Sequence, residues 1–214
     1  MIKAVIWDFG GVITSSPFDA FNRYEKDNGL PKDFVRQINA TNPDTNAWAQ
    51  FERNEIDAQA FDIAFAKEAS AQGHDVPGRD ILACLAGDIR PEMVEVLKGL
   101  KQRGYKIGCI TNNVKAGEGA GMARTQSKAE AVSEVLALFS HVIESSKVGV
   151  RKPDPEIYTM ACEALGVAPS EAVFLDDLGI NLKPAKALGM KTIKVGPAAP
   201  AIQELSEILG HELP

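Results

Sequence analysis

Five short apolar runs alternate along the chain with longer stretches whose apolar positions recur every three or four residues, a pattern that predicts an α/β fold. Lys3 to Phe9 is rich in β-formers and stops at Gly10-Gly11, so it predicts a buried strand with Asp8 at its carboxyl end. Tyr105 to Ile110 predicts a second strand that delivers Thr111, Asn112 and Asn113. His141 to Glu144 predicts a third, Ala172 to Leu175 a fourth that delivers Asp176 and Asp177, and Lys191 to Val195 a fifth. Between them, helical spacing covers Pro91 to Lys101, closed by Gly104, then Lys128 to Phe139, Pro155 to Leu165 and Leu182 to Leu188.

The stretch from Pro17 to about Gly87 has a different texture. Its apolar groups (Phe18, Phe21 and Tyr24; Phe34, Val35 and Ile38; Ala60, Phe61, Ala64 and Phe65) have helical spacing, with breaks at Gly29-Leu30-Pro31, at Asn42-Pro43-Asp44 and from Gly73 to Gly78. An insertion of four helices is expected, with residues 15–87 forming a helical domain and residues 1–14 and 88–214 an α/β core. The core is expected to be a doubly wound parallel sheet with right-handed crossovers, helices on both faces and a site above the carboxyl ends of its strands. Asp8, Thr111 and the Asp176-Asp177 pair converge there. Lys115 to Gly121 is glycine-rich and predicts a mobile loop rather than a nucleotide-binding one, because it lacks the strand-turn-helix context and lysine spacing of a P-loop.

With 214 residues, 45% of them hydrophobic, the chain can bury a sizeable core. The formal net charge of −6 and the lack of a basic tract exclude a sequence-independent nucleic-acid binder and point to a small substrate. No run is long enough to span a bilayer, and the N-terminus lacks the apolar stretch and cleavage site of a signal peptide, so a cytoplasmic location is expected. Cys84, Cys109 and Cys162, each in an apolar stretch, are expected to be reduced core residues.

The residues at the predicted strand ends suit attack on a phosphate ester. A carboxylate approaching a phosphate dianion needs a divalent cation and fixed positive groups to offset repulsion. Asp8 can serve as nucleophile and, through its other oxygen, as a ligand for Mg2+, with Asp177 as the second carboxylate. Thr111 and Asn112 can donate to phosphoryl oxygens, the Gly10-Gly11 turn can present backbone N–H groups, and Lys152, held outside a helix by Pro153 and Pro155, can supply fixed positive charge. Taken alone, Asp8 reads equally as a functional residue or a cap, Thr111 more readily as a cap than as a ligand, and Lys152 as a solvated surface charge. The adjacent Asp176 and Asp177 carry more weight, since neighbouring like charges raise each other's proton affinity unless a cation or donors stabilise them.

Asp8-Phe9-Gly10-Gly11-Val12-Ile13, Ile110-Thr111-Asn112, Arg151-Lys152-Pro153 and Phe174-Leu175-Asp176-Asp177 resemble, in order, the four motifs of the haloacid dehalogenase superfamily. The resemblance covers nearly the whole chain. Glu144 to Gly149 and Phe174 to Ala185 further resemble the branch that holds the N-terminal phosphatase domain of soluble epoxide hydrolase and bacterial sugar-phosphate phosphatases. The resemblance implies a phosphatase of small phosphorylated metabolites with Asp8 as nucleophile, Thr111 and Asn112 as phosphate ligands, and Lys152 paired with both phosphate and nucleophile. It also implies Mg2+ held by Asp8, the Gly10 carbonyl and Asp177, with Asp176 and Asn181 orienting that shell. The helical insertion then corresponds to a cap that closes over the site, and Trp48, Phe51 and Arg53 are candidates for its lining.

One position departs from the family pattern. Phosphatases of the superfamily usually carry an acid–base aspartate two residues after the nucleophile, where this chain has Gly10. The carbonyl survives that change and the proton-transfer group does not, which implies good leaving groups such as aryl, acyl or anomeric sugar phosphates, or proton transfer by water. Two other expectations compete with the phosphatase. One is a metal-independent 2-haloacid dehalogenase, disfavoured by the Asp176-Asp177 pair, and the other is a binding or regulatory protein of low activity.

Overall fold

The computed structural model describes residues 1–85, 87–112 and 126–214, apart from the side chains of residues 126 and 127. Five strands, β1 (Ala4–Trp7), β2 (Lys106–Thr111), β3 (His141–Glu144), β4 (Ala172–Asp176) and β5 (Lys191–Lys194), form one parallel sheet in the order β3-β2-β1-β4-β5. The strand bearing Asp8 is therefore central, and the chain winds outward from it on both sides. This is the doubly wound parallel arrangement that the alternating pattern predicts, with a crevice at the strands' carboxyl ends where the winding reverses.

Strand periodicity assigns the two faces. Val5 and Trp7, Ile107 and Cys109, and Val173 and Leu175 point to one side and pack with α6 (Pro91–Gln102), α7 (Gln126–Leu136) and α11 (Ala198–Leu209). Ala4 and Ile6, Ile110, and Ala172 and Phe174 point to the other and pack with α9 (Pro155–Leu165) and α10 (Gly179–Ala187). Continuous apolar strands covered on both faces are what a parallel sheet requires, because neither face can be left in water.

Between β1 and α6 the elements are helices among the described residues: α1 (Pro17–Asp27), α2 (Phe34–Ala40), α3 (Ala47–Glu52), α4 (Ala58–Ala71) and α5 (Gly78–Ala83). It has its own core, in which Phe21, Phe34, Phe51, Phe61 and Phe65 are buried and Phe51 stacks on Phe61 with ring centroids 4.7 Å apart. The chain leaves and re-enters the α/β layer side by side. Thr14 bridges Ile89, the Ser15 N–H donates to Asp88 O at 2.8 Å, and the Arg90 N–H donates to Ile13 O at 2.8 Å.

The structure differs from the expectations at several elements. The insertion holds a fifth helix, α5, which begins at Gly78, where glycine and proline predict a break. A long helix, α11, follows β5 and packs its Ala201 and Leu205 on the sheet, and a one-turn helix, α8 (Ser145–Val148), follows β3. Helix α10 starts at Gly179 rather than Leu182, which brings its first turn beside Asp176. Cys109 and Cys162 are buried, whereas Cys84 is only half-buried. Asn113 and the glycine-rich segment 115–121 lie outside the described residues.

Candidate active site

The backbone sets the site. The Asp8 N–H donates to Leu175 O at 2.8 Å, extending the β1–β4 pairing one residue beyond β1, so Asp8 and Asp176 emerge next to each other. At residue 11 the backbone adopts φ +78°, and a Cβ there would collide with the Asp177 carboxylate. Glycine at 11 is thus required both for the turn and for the approach of the second acidic residue. Residue 10 is different, because a Cβ on Gly10 would meet nothing within 4 Å.

Lys152, expected at the site as a fixed charge, is 1% exposed and lies at its centre. Its Nζ donates to Asp8 Oδ1 at 2.7 Å, to Asp176 Oδ2 at 2.8 Å and to the Ile110 carbonyl at 3.0 Å, which uses all three ammonium donors. A phosphoryl oxygen could reach this lysine only by displacing one of those partners. Asp176 is 0% exposed and its Oδ1 also accepts from the Leu178 N–H at 2.8 Å, while the Asn181 amide donates to both its oxygens at 3.1 Å. Tyr158 in turn donates its hydroxyl proton to the Asn181 carbonyl at 2.7 Å. Asp176 is thereby locked on every side, which suits an orienting role rather than contact with a ligand.

Thr111 sits buried at the end of β2 and lines the cleft with Asp8, Gly10 and Asp177. The Asn112 side chain is turned to a different use from the one the resemblance implies. Its Nδ2 donates to the Lys152 carbonyl at 2.9 Å and its Oδ1 accepts the Lys152 N–H at 2.8 Å, a two-point clamp on the lysine's own backbone.

Electrostatics follow from the crowding. Burial pushes the Asp8 carboxyl well above its ordinary range, with Asp176 and Asp177 adding to the rise and Lys152 opposing it. Burial alone would lower the Lys152 ammonium, but Asp176 and Asp8 outweigh it and hold the group above its usual value. Asp8, Asp176 and Asp177 bring oxygens within 4.8 Å of one another. When all three carboxyls are ionised, as a bound cation would favour, three carboxylates against one ammonium leave two net negative charges, and the donors are hard oxygens. Both properties fit a divalent cation of the magnesium or calcium type, with Asp8 and Asp177 the carboxylates able to turn toward it.

Asp177 gives this charge excess a measurable signature. Burial, and then Asp176, raise its pKa from 3.8 to about 6, while Lys152 and the Ser16 hydroxyl, 3.3 Å from its Oδ2, oppose the shift. In metal-free protein the folded state then holds a proton that the unfolded state has released, so this contribution to stability is present below 3.8 and is lost as pH rises through about 6. The difference in melting temperature between metal-free wild type and Asp177→Asn is expected to shift against the wild type across that window. An unchanged difference would contradict the assignment.

Of the three cap candidates, Trp48 and Arg53 line the cleft, a cavity of about 1110 Å³ between the helical layer and the sheet. Arg53 is committed to Glu55 at 2.7 Å and to the Asp44 carbonyl at 3.1 Å. Phe51 instead lies in the helical core. Glu52 was not expected and lines the cleft one helical turn after Trp48, a spacing that puts both on one face of α3. Ser16 was missed as well, although a serine before Pro17 is a visible N-cap signal, and it does cap α1 while touching Asp177.

The model of the haloacid dehalogenase-like hydrolases matches residues 2–189 of this sequence. The chain belongs to that family. As a haloacid dehalogenase-like hydrolase it is 31% identical to bifunctional epoxide hydrolase 2 of Mus musculus over 100% of its own length, although it spans only 40% of that protein. It is 30% identical to phosphatase MT3486 of Mycobacterium tuberculosis (strain CDC 1551 / Oshkosh), covering 91% of this chain and 87% of that one. Its fold is shared with a family enzyme from Bacteroides thetaiotaomicron solved with magnesium and inorganic phosphate, with a TM-score of 0.60 and 21% identity over 92% of this chain and 95% of the other. No helix among the described residues is long and apolar enough to cross a membrane.

Proposed function

We propose that this hydrolase is a magnesium-dependent phosphatase that cleaves small phosphate monoesters through a covalent phosphoryl group on Asp8. The observation that carries this reading is the placement of Asp8 beside Asp177 and Lys152, with two carboxylate charges left over for a divalent cation. The magnesium complex of the Bacteroides thetaiotaomicron relative and the naming of the Mycobacterium tuberculosis relative as a phosphatase point the same way.

Mg2+ would be held by Asp8, Asp177 and the Gly10 carbonyl, and it would supply charge neutralisation for the incoming dianion. Lys152 and the Phe9 N–H, each 2.7 Å from Asp8 Oδ1, fix the nucleophile's orientation and leave Oδ2 to form the bond to phosphorus. Thr111 and the backbone N–H groups at Gly11 and Asn112 bind the phosphoryl oxygens. As the new Oδ2–P bond forms, the ester O–P bond breaks, and the departing oxygen takes a proton from water because residue 10 has no side chain to give one. Water then attacks the phosphoryl group, inorganic phosphate leaves and the carboxylate is restored.

The helical layer, residues 15–87, acts as a cap over the α/β core in this reading. Phe18 and Trp48 offer apolar surface to an aryl leaving group, and the site works in the cytoplasm on a phosphorylated metabolite. Hydrolysis of p-nitrophenyl phosphate should stop on addition of a chelator and return with magnesium, whereas a haloacid dehalogenase would be indifferent to both. Across a substrate panel, aryl and acyl phosphates should turn over faster than alkyl phosphates, since general acid help contributes about a hundredfold to ten-thousandfold. Equal rates for aryl and alkyl esters would refute the role given to Gly10.

A further inference from the structure

We propose that Glu52, on the helical layer, is a positioning residue for Lys152 and acts through Arg151. The proposal deepens the phosphatase reading, because it concerns how that site is assembled.

Glu52 ends α3 and is 5% exposed. Its Oε2 lies 2.7 Å from Arg151 Nε, a charge pair that joins the helical layer to the loop carrying Lys152. The pair is one of charge rather than a hydrogen bond, and two hydrogen bonds fasten the same junction: Arg151 donates through its NH1 nitrogen to the Pro43 carbonyl at 3.0 Å, and the Ser145 hydroxyl donates to the Glu52 carbonyl at 2.8 Å. Arg151 is thus gripped by two segments of the helical layer.

The next residue, Lys152, is gripped from the opposite side, where Asn112 clamps its backbone N–H and carbonyl to the end of β2. Its side chain must then span a fixed path to reach Asp8, Asp176 and the Ile110 carbonyl together. With the Arg151 side chain released, the peptide before Lys152 keeps only the Asn112 clamp and the Asp154 N–H that donates to the Arg151 carbonyl at 2.9 Å, and it loses its tie to the helical layer.

A glutamate this deeply buried is costly unless it is paired. Burial pushes its carboxyl upward in pKa, and the Arg151 guanidinium and the Trp48 side chain pull it back. Seating the helical layer and placing the catalytic ammonium are therefore one event: the cation in closest contact with Glu52, Arg151, lies on the loop that carries Lys152. An open helical layer would leave Arg151 unpaired and Lys152 loosely held, so the site would be complete only when closed.

A simple strut between two layers would affect stability alone, so the test reads Lys152 directly. In the full-length chain, the rate at which an amine-acylating reagent labels Lys152 is measured by mass spectrometry, well below the melting temperature. Glu52→Gln and Arg151→Met should each raise that rate at least about tenfold while circular dichroism stays native, and the double variant should be no faster than either single one. The charge-restoring pair Glu52→Arg with Arg151→Glu should bring the rate back toward wild type.

In p-nitrophenyl phosphate hydrolysis the same single variants should lose about tenfold to a hundredfold in kcat with KM unchanged, as expected when a reacting group is misplaced. Wild-type labelling of Lys152 in a folded Glu52→Gln variant would overturn the proposal. Should Glu52→Gln fail to fold, the milder Glu52→Asp provides the same readout. An inactive wild type would count against the phosphatase reading and leave the labelling result to decide the positioning role.

Discussion

Asp8→Asn should reduce p-nitrophenyl phosphate hydrolysis at least about a thousandfold, to the level of the uncatalysed background, in a protein that remains folded. The amide has nearly the shape of the carboxylate but no charge with which to attack phosphorus. It also cannot hold a phosphoryl group, so rapid-quench experiments with labelled substrate should find phosphate on the wild-type chain and none on the variant. The fold should survive because burial and the neighbouring acids already disfavour a charged Asp8, and a neutral side chain relieves that cost. Lys152 keeps Asp176 at 2.8 Å and the Ile110 carbonyl at 3.0 Å. A variant that turns over at the wild-type rate would sink the covalent mechanism, whatever the metal dependence shows.

Lys152→Met should do damage of a different kind. Methionine matches the length of the lysine stem, so the expected loss is electrostatic rather than one of packing. It would leave the carboxylates of Asp8 and Asp176 facing each other without the ammonium that now bridges them at 2.7 and 2.8 Å, together with an orphaned carbonyl at Ile110. Removing one partner from a buried charge pair costs about 3–5 kcal/mol. At about 2–4 °C per kcal/mol for a chain of this size, the melting temperature should fall by roughly 6–20 °C. Lowering the pH should recover part of the loss, because protonating Asp8, whose carboxyl burial already raises, relieves the repulsion. Activity should vanish along with it. A stability loss below about 1 kcal/mol would mean that Lys152 is not the counter-charge the geometry makes it.

The fold was legible where one periodicity dominated. Strands β1 and β4 stand out as apolar runs ending in acid, and the central position of Asp8 follows once the strands are taken as parallel. Helix α11 was hidden because Pro197 and Pro200 flank its start and imitate a loop, although proline is well tolerated in a first turn. Helix α5 was hidden in the same way by Pro77 and Gly78.

At the site, the placement of Asp8, Thr111, Asp176 and Asp177 at the carboxyl ends of strands could be read from the chain alone. The actual use of each donor could not. Whether Asn112 faces a ligand or the Lys152 backbone, and whether Glu52 meets solvent or Arg151, depends on pairings between distant segments that no local pattern encodes. The burial of Lys152 is the clearest case, since lysine by type belongs to the surface and only two waiting carboxylates make its place at the centre tenable.

The open space beside Gly10 has a consequence for how dry the closed cleft can be. Many enzymes gain by expelling solvent as they close, because every charge interaction strengthens when the dielectric falls. Under the proposed chemistry this protein has no side chain at residue 10 to hand a proton to the departing oxygen, and the space there is wide enough that a Cβ would meet nothing within 4 Å. The cleft must therefore retain hydration at that one point while excluding it elsewhere. Proton supply would then depend on the acidity of water and buffer rather than on a titrating residue, and the enzyme would give up some of the electrostatic advantage of closure to keep that channel wet.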